Sequence, residues 1–158
     1  MIIKDTIFGD IQYTEEDLLT LPLGLVGMPN MTQYLILDFD GEHAFKVLLS
    51  TEDPSINFLI TDPRNFRPDY DLNTLKPTWD ALKIDCEADQ AVIVLCTWRG
   101  KFENTTGNLL GPIAVNTKTR KGLQVILENM EFTTHESIPR PEMESDKNLE
   151  MVNSQKVG

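Results

Sequence analysis

Apolar and polar residues alternate along much of this chain with a period of two, the spacing of half-buried β-strands. Residues 2–13 contain one such stretch. Residues 34–39 and 44–49 form a second and a third, with Asp40, Gly41 and Glu42 between them as a hairpin turn. Residues 56–61 make a fourth, stopped by Asp62 and Pro63. The strongest strand by β-branched content runs from Gln90 to Trp98. Residues 113–116 and 123–127 follow it, with a turn at 118–122, and residues 130–134 add a last edge. Helix is scarce. Residues 75–82 predict one or two turns, with Trp79 and Leu82 on a common face. Residues 15–19 read either as a further turn or as the acid-flanked entry to a strand.

Short strands at close spacing, with turn chemistry between them, predict a mainly β fold. The expected architecture is a small single-domain β-barrel-like fold over residues 1–136, with one or two short helices. A closed barrel also removes sticky edges. From about Ser137 the pattern fails. Pro139, Pro141, Glu142, Glu144, Asp146 and Lys147 mark residues 137–158 as a polar, disordered C-terminal tail. The length of 158 residues suits one domain that buries its own core.

Charge changes the picture more than composition does. The net charge is −11, and residues 1–91 hold 17 acids against 6 bases while the remainder is balanced. Such a chain lacks the basic surface that phosphates require, so no direct nucleic-acid binding is expected. The acidic half serves either solubility or the steering of a basic partner. Lys4, Asp5 and Asp10 interrupt the first turns, so no secretory leader is read there, and no apolar run approaches membrane length. A cytoplasmic protein without membrane contact is expected. Cys86 and Cys96 are not a C-x-x-C pair, and Cys96 sits inside an apolar run as a small buried hydrophobe.

Candidate chemistry is sparse. His43 and His135 stand far apart, and with two cysteines at no ligand spacing they predict neither a catalytic pair nor a metal site. No nucleophile elbow, phosphate loop or dinucleotide fingerprint is present. No cofactor is implied. Three acidic groups read as solvated turns or as partner-facing patches: residues 15–17, residues 38–42, and residues 85–89. Trp79, Trp98 and Tyr70 are aromatic candidates for binding, with barrel core or rim packing as the alternative for Trp98 and a loop aromatic covering a barrel end as the alternative for Tyr70.

The most informative stretch is residues 105–116, where a polar turn leads through Gly111 and Pro112 into the short apolar strand Ile113, Ala114, Val115. It reads as a register-setting turn or as a recognition surface. Thr106, Asn108, Leu109, Pro112, Ile113 and Asn116 resemble the T-x-N-L-x-x-P-I-x-x-N signature of the FliW family of flagellar assembly factors. The resemblance extends over roughly residues 1–140. Gly24, Leu25 and Gly27 are similar to the family's G-L-x-G turn, with Tyr34 beyond it. Residues 45–50 are similar to its F-x-x-L-Q-S strand, and Phe58, Asp62, Pro63 and Tyr70 to the next strand and its exit. Gln124 matches a glutamine after a basic turn. Met28 stands where the family usually has Phe, and Leu49 where it usually has Gln.

The resemblance implies a non-enzymatic binding switch. FliW-like proteins hold flagellin in the cytoplasm and also bind the translational regulator CsrA, a small basic RNA-binding dimer. Flagellin and CsrA are therefore the expected partners. Glu15, Glu16, Asp17, Asp38 and Asp40 are the expected steering acids, and Tyr70, Thr106, Asn108 and Asn116 the expected contacts. A small ligand-binding or enzymatic β-barrel with its pocket at an open end is the other reading.

Overall fold

The computed structural model describes residues 1–39, 44–128 and 131–137. The chain opens with a hairpin of β1 (Ile2–Thr6) and β2 (Gly9–Gln12), then a 3₁₀ turn at Glu15–Asp17. Next come β3 (Leu19–Thr20), β4 (Gln33–Asp38), β5 (Phe45–Ser50) and β6 (Asn57–Thr61). A connection follows with 3₁₀ turns at Pro63–Asn65 and Leu72–Leu75 and one short helix, α1 (Lys76–Ala81). The rest is β7 (Gln90–Thr97), β8 (Thr106–Gly107), β9 (Ile113–Asn116), β10 (Lys121–Gln124) and β11 (Glu136–Ser137). No helix among the described residues is long and apolar enough to cross a membrane.

Seven strands close a barrel in the order β7-β6-β5-β4-β3-β10-β9, and β9 returns to β7. All of these pairs are antiparallel except β3 with β10. The strand β7 makes closure possible because it is long. Gln90 to Ile93 pair with β9, Val94 to Cys96 with β6, and Cys96 and Thr97 also with β8. The pair β8–β11 is thus a side branch rather than part of the ring.

Alternation decides the layers. Tyr34, Leu48, Ile60, Ile113 and Val115 point inward with Leu19 and fill the barrel. Their sequence neighbours point outward and are covered as well. Leu35 and Leu49 lie beneath the β1–β2 hairpin against Ile3. Val92, Val94, Ala114 and Phe45 lie beneath Trp79, Leu75 and Phe66 from the connection around α1. Trp79 keeps its indole N–H satisfied on the Leu72 carbonyl at 2.9 Å. Both faces of these strands are therefore buried, which explains their near-continuous apolar runs.

The mainly β, barrel-forming expectation holds, with one short α-helix. Residues 2–13 form two strands rather than one, because the chain reverses at Ile7 and Phe8. The expected strand 123–127 instead spans Lys121–Gln124. Gly122 permits this, since a Cβ there would meet the Ala114 carbonyl oxygen at 2.8 Å. The last edge falls at Glu136–Ser137 rather than at 130–134, part of which lies outside the described residues. It exists because β8 offers two residues to pair with, a partner invisible to local periodicity. The expected turn at Asp40, Gly41 and Glu42, and the tail beyond Ser137, lie outside the described residues.

Candidate functional surfaces

The acidic turn is built by a capping box. Thr14 donates its backbone N–H to the Asp17 carboxylate at 2.8 Å and its hydroxyl to the same oxygen at 3.3 Å. Glu15, Glu16 and Asp17 are left exposed. The turn is tied to the β9–β10 hairpin by Arg120, whose guanidinium donates to the Leu18 carbonyl at 3.1 Å and the Asp17 carbonyl at 3.0 Å. Arg120 has a left-handed backbone, φ 56°, a conformation that non-glycine residues adopt at a cost.

Asn116 shapes the turn that carries Arg120. Its side-chain oxygen accepts the N–H groups of Lys118 (2.9 Å) and Thr119 (3.2 Å), and its amide donates to the Leu82 carbonyl at 3.0 Å. It is 4% exposed. Three clefts open around the acidic turn. One of about 500 Å³ runs between Glu15 and Glu16 on one wall and Lys118 and Lys121 on the other. A second, about 520 Å³, is bounded by Met1, Tyr13 and Asp17, and a third, about 310 Å³, by Glu16, Leu35 and Arg120.

The signature turn forms a second region. Asn108 accepts the Leu110 N–H at 3.1 Å on its side-chain oxygen, an Asx turn over residues 108–110, and its backbone carbonyl accepts the Gly111 N–H at 3.4 Å. Asn108 thus opens the turn that its side chain holds, rather than closing one at residues 105–108. Thr105 ties its hydroxyl to the Lys101 carbonyl at 2.9 Å. The buried Thr106 hydroxyl finds no hydrogen-bond partner among the described residues. Gln124 then links two loops, donating to the Gly111 carbonyl at 3.0 Å and accepting the Val26 N–H at 2.8 Å. Gly24 allows that loop to fold tightly, with φ 66° and the space of its missing Cβ taken by the Met28 carbonyl oxygen. The exposed apolar residues Leu23, Val26 and Ile126 flank this brace.

Tyr70 lies in a third region and is 4% exposed. Its ring stacks on Phe132 at 5.0 Å, and Arg67 sits over the other aromatic partner, 5.2 Å from the Phe132 centroid. Burial pushes the Tyr70 hydroxyl up to about 12, and it makes no hydrogen bond among the described residues. Arg67 also bonds Asp69 at 3.0 Å and the Glu131 carbonyl at 3.2 Å, and approaches Glu136 at 3.7 Å. The hydrogen bond between Arg67 and Asp69 holds the guanidinium above its ordinary value and the carboxyl below its own.

The sequence-selected residues therefore separate. Glu15, Glu16, Asp17 and Asn116 share one neighbourhood through Arg120. Asp38 forms an exposed ion pair with Lys46 at 2.7 Å, and Asp40 lies outside the described residues. Arg67 and Arg120 are the organising residues that sequence reading passed over as organisers. Nothing local marks them, because each acts on segments far along the chain.

A model of the FliW protein family matches residues 2–138. The flagellar assembly factor FliW of Alkaliphilus metalliredigens (strain QYMF) is 33% identical over 135 residues, 85% of this chain and 83% of that protein. The flagellar assembly factor FliW of Clostridium novyi (strain NT) is 33% identical over 132 residues, covering 84% of this chain and 92% of that protein. A crystal structure of the flagellar assembly factor FliW aligns with a TM-score of 0.78 at 30% identity, over 89% of this chain and 99% of that one.

Proposed function

Because this chain belongs to the FliW family of flagellar assembly factors, we propose that it works in the cytoplasm as a non-enzymatic binding switch. In this reading it holds flagellin and, when flagellin is exported, binds and antagonises CsrA. The single observation that carries the reading is the family match over residues 2–138. The filled barrel supports a role through surfaces, since Tyr34, Leu48, Ile60 and Ile113 occupy the space a ligand would need. Exclusive binding of two partners would let the level of one control the other, a coupling set by the difference in free energy between the two complexes.

The charge distribution supports a basic partner such as CsrA, because an acidic surface raises the rate of encounter. The Glu15–Asp17 turn contributes less to that field than its three acids suggest, as Lys118, Arg120 and Lys121 face the same cleft. Calorimetry with purified flagellin and, separately, CsrA tests the reading. Micromolar or tighter binding of each, and displacement of one by the other, is the expected result. Absence of both complexes would overturn it, and binding of flagellin alone would leave a plain chaperone.

A further inference from the structure

We propose that the cleft between the Glu15–Asp17 turn and the β9–β10 turn binds a dipolar stretch of polypeptide. Such a stretch offers a cation to Glu15 and Glu16 and a carboxylate to Lys118 and Lys121. The cleft measures about 500 Å³, room for a few side chains rather than a whole element. Its two walls carry opposite charge. Among the described residues, none of these four side chains is engaged in an ion pair. Both sets of charges therefore remain available to a ligand.

The floor is polar and in register. Lys121 pairs with Thr20, and Thr20 with Gln33, so the three side chains form one row on the outside of β10, β3 and β4. The Thr20 hydroxyl donates to the Gln33 side-chain oxygen at 3.1 Å, which leaves the Gln33 amide nitrogen as a donor for a ligand carbonyl. The walls are held rather than loose. Arg120 clamps the acidic turn through two carbonyls, and Asn116 fixes the basic turn through two N–H groups. A uniformly basic ligand would meet repulsion from Lys118 and Lys121, and a phosphate or acidic ligand would meet it from Glu15 and Glu16. Only a ligand with both signs satisfies both walls.

The charge layout is independent of the flagellar role, and its test needs neither proposed partner. The full chain, labelled with ¹⁵N, is titrated with three capped peptides of equal length: one with separated Lys and Glu residues, one Lys-rich, one Glu-rich. The dipolar peptide should shift the amides of residues 15–20, 33 and 118–121. Its affinity should fall roughly three- to tenfold in Glu15→Gln/Glu16→Gln and in Lys118→Ala/Lys121→Ala, the range for two exposed ion pairs. Unchanged melting of both variants confirms that the fold is kept. Tighter binding of either single-sign peptide at the same amides would overturn the proposal. So would the lack of any shift there with millimolar dipolar peptide, or an affinity indifferent to both pairs of substitutions.

Discussion

Asn116 and Asn108 show how a polar side chain in a recognition-like motif can be consumed by the backbone. Asn116 satisfies two N–H groups and one carbonyl at 4% exposure, whereas Asn108 satisfies one N–H at half-burial. The difference sets an order. Asn108→Ala should cost about 1 kcal/mol, and Asn116→Ala about 2–4 kcal/mol because it removes three hydrogen bonds that tie the β9–β10 turn to the residues after α1. Urea denaturation of the two variants checks the order. Tyr70 gives a second expectation, in pH. Its folded value is raised to about 12 from an ordinary 10, so above pH 10 the unfolded chain loses a proton that the folded chain keeps. Its contribution is complete below pH 10 and is lost as pH rises towards 12, by no more than about 3 kcal/mol. Tyr70→Phe should therefore melt like the parent protein at pH 8 and more favourably than it at pH 11, a comparison thermal scans can make.

Elements here are held by single long-range side chains. Segment 131–137 contributes only a two-residue strand, yet it covers Tyr70 with Phe132. Arg67 fastens it through the Glu131 carbonyl, Glu136 and the Phe132 ring. Arg67→Ala should loosen this strap while leaving the barrel intact. Hydrogen exchange reads that directly: protection of the Leu109 N–H, bonded to the Thr133 carbonyl, should fall about tenfold or more, equivalent to about 1.4 kcal/mol. The Val94 N–H within β7 should hardly change. The β1–β2 hairpin likewise explains Leu49. It departs from the Gln of the strand pattern that residues 45–50 resemble, and it is fully buried in a cluster with Ile3. Leu49→Gln should destabilise this chain by about 1–3 kcal/mol through an amide buried against apolar neighbours, which a melting curve would report.

At the scale of the molecule, charge and closure matter most. On the proposed reading, the excess of acids in residues 1–91 gives the complex with CsrA an association rate that falls steeply with salt while dissociation changes much less. Stopped-flow measurement across a salt series is the check, and a flat dependence would remove charge from the mechanism. The barrel closes at β3–β10 on a single registered pair, Lys121 with Thr20, supported by the Thr20 N–H on the Arg120 carbonyl at 2.9 Å. The β4–β5 seam, by contrast, registers five pairs.

The sequence by itself determined the strands with strong alternation, the short helix near Trp79, the acidic balance and the family signature, because each is written in neighbouring residues. It also placed Asn108 in a polar turn, since asparagine competes for nearby backbone, and Asn116 at the end of a short strand. Only the tertiary structure decided what those residues serve. The two-residue strands β3, β8 and β11 have no periodicity of their own and exist through their partners. Tyr70 became a buried stacking residue because Phe132, distant along the chain, arrived beside it. Glu15 and Glu16 came to face Lys118 and Lys121 because β3 runs parallel to β10. Local pattern records which face of a strand is buried, while the pairing of charges and rings across the fold is fixed by contacts that no short stretch of sequence contains.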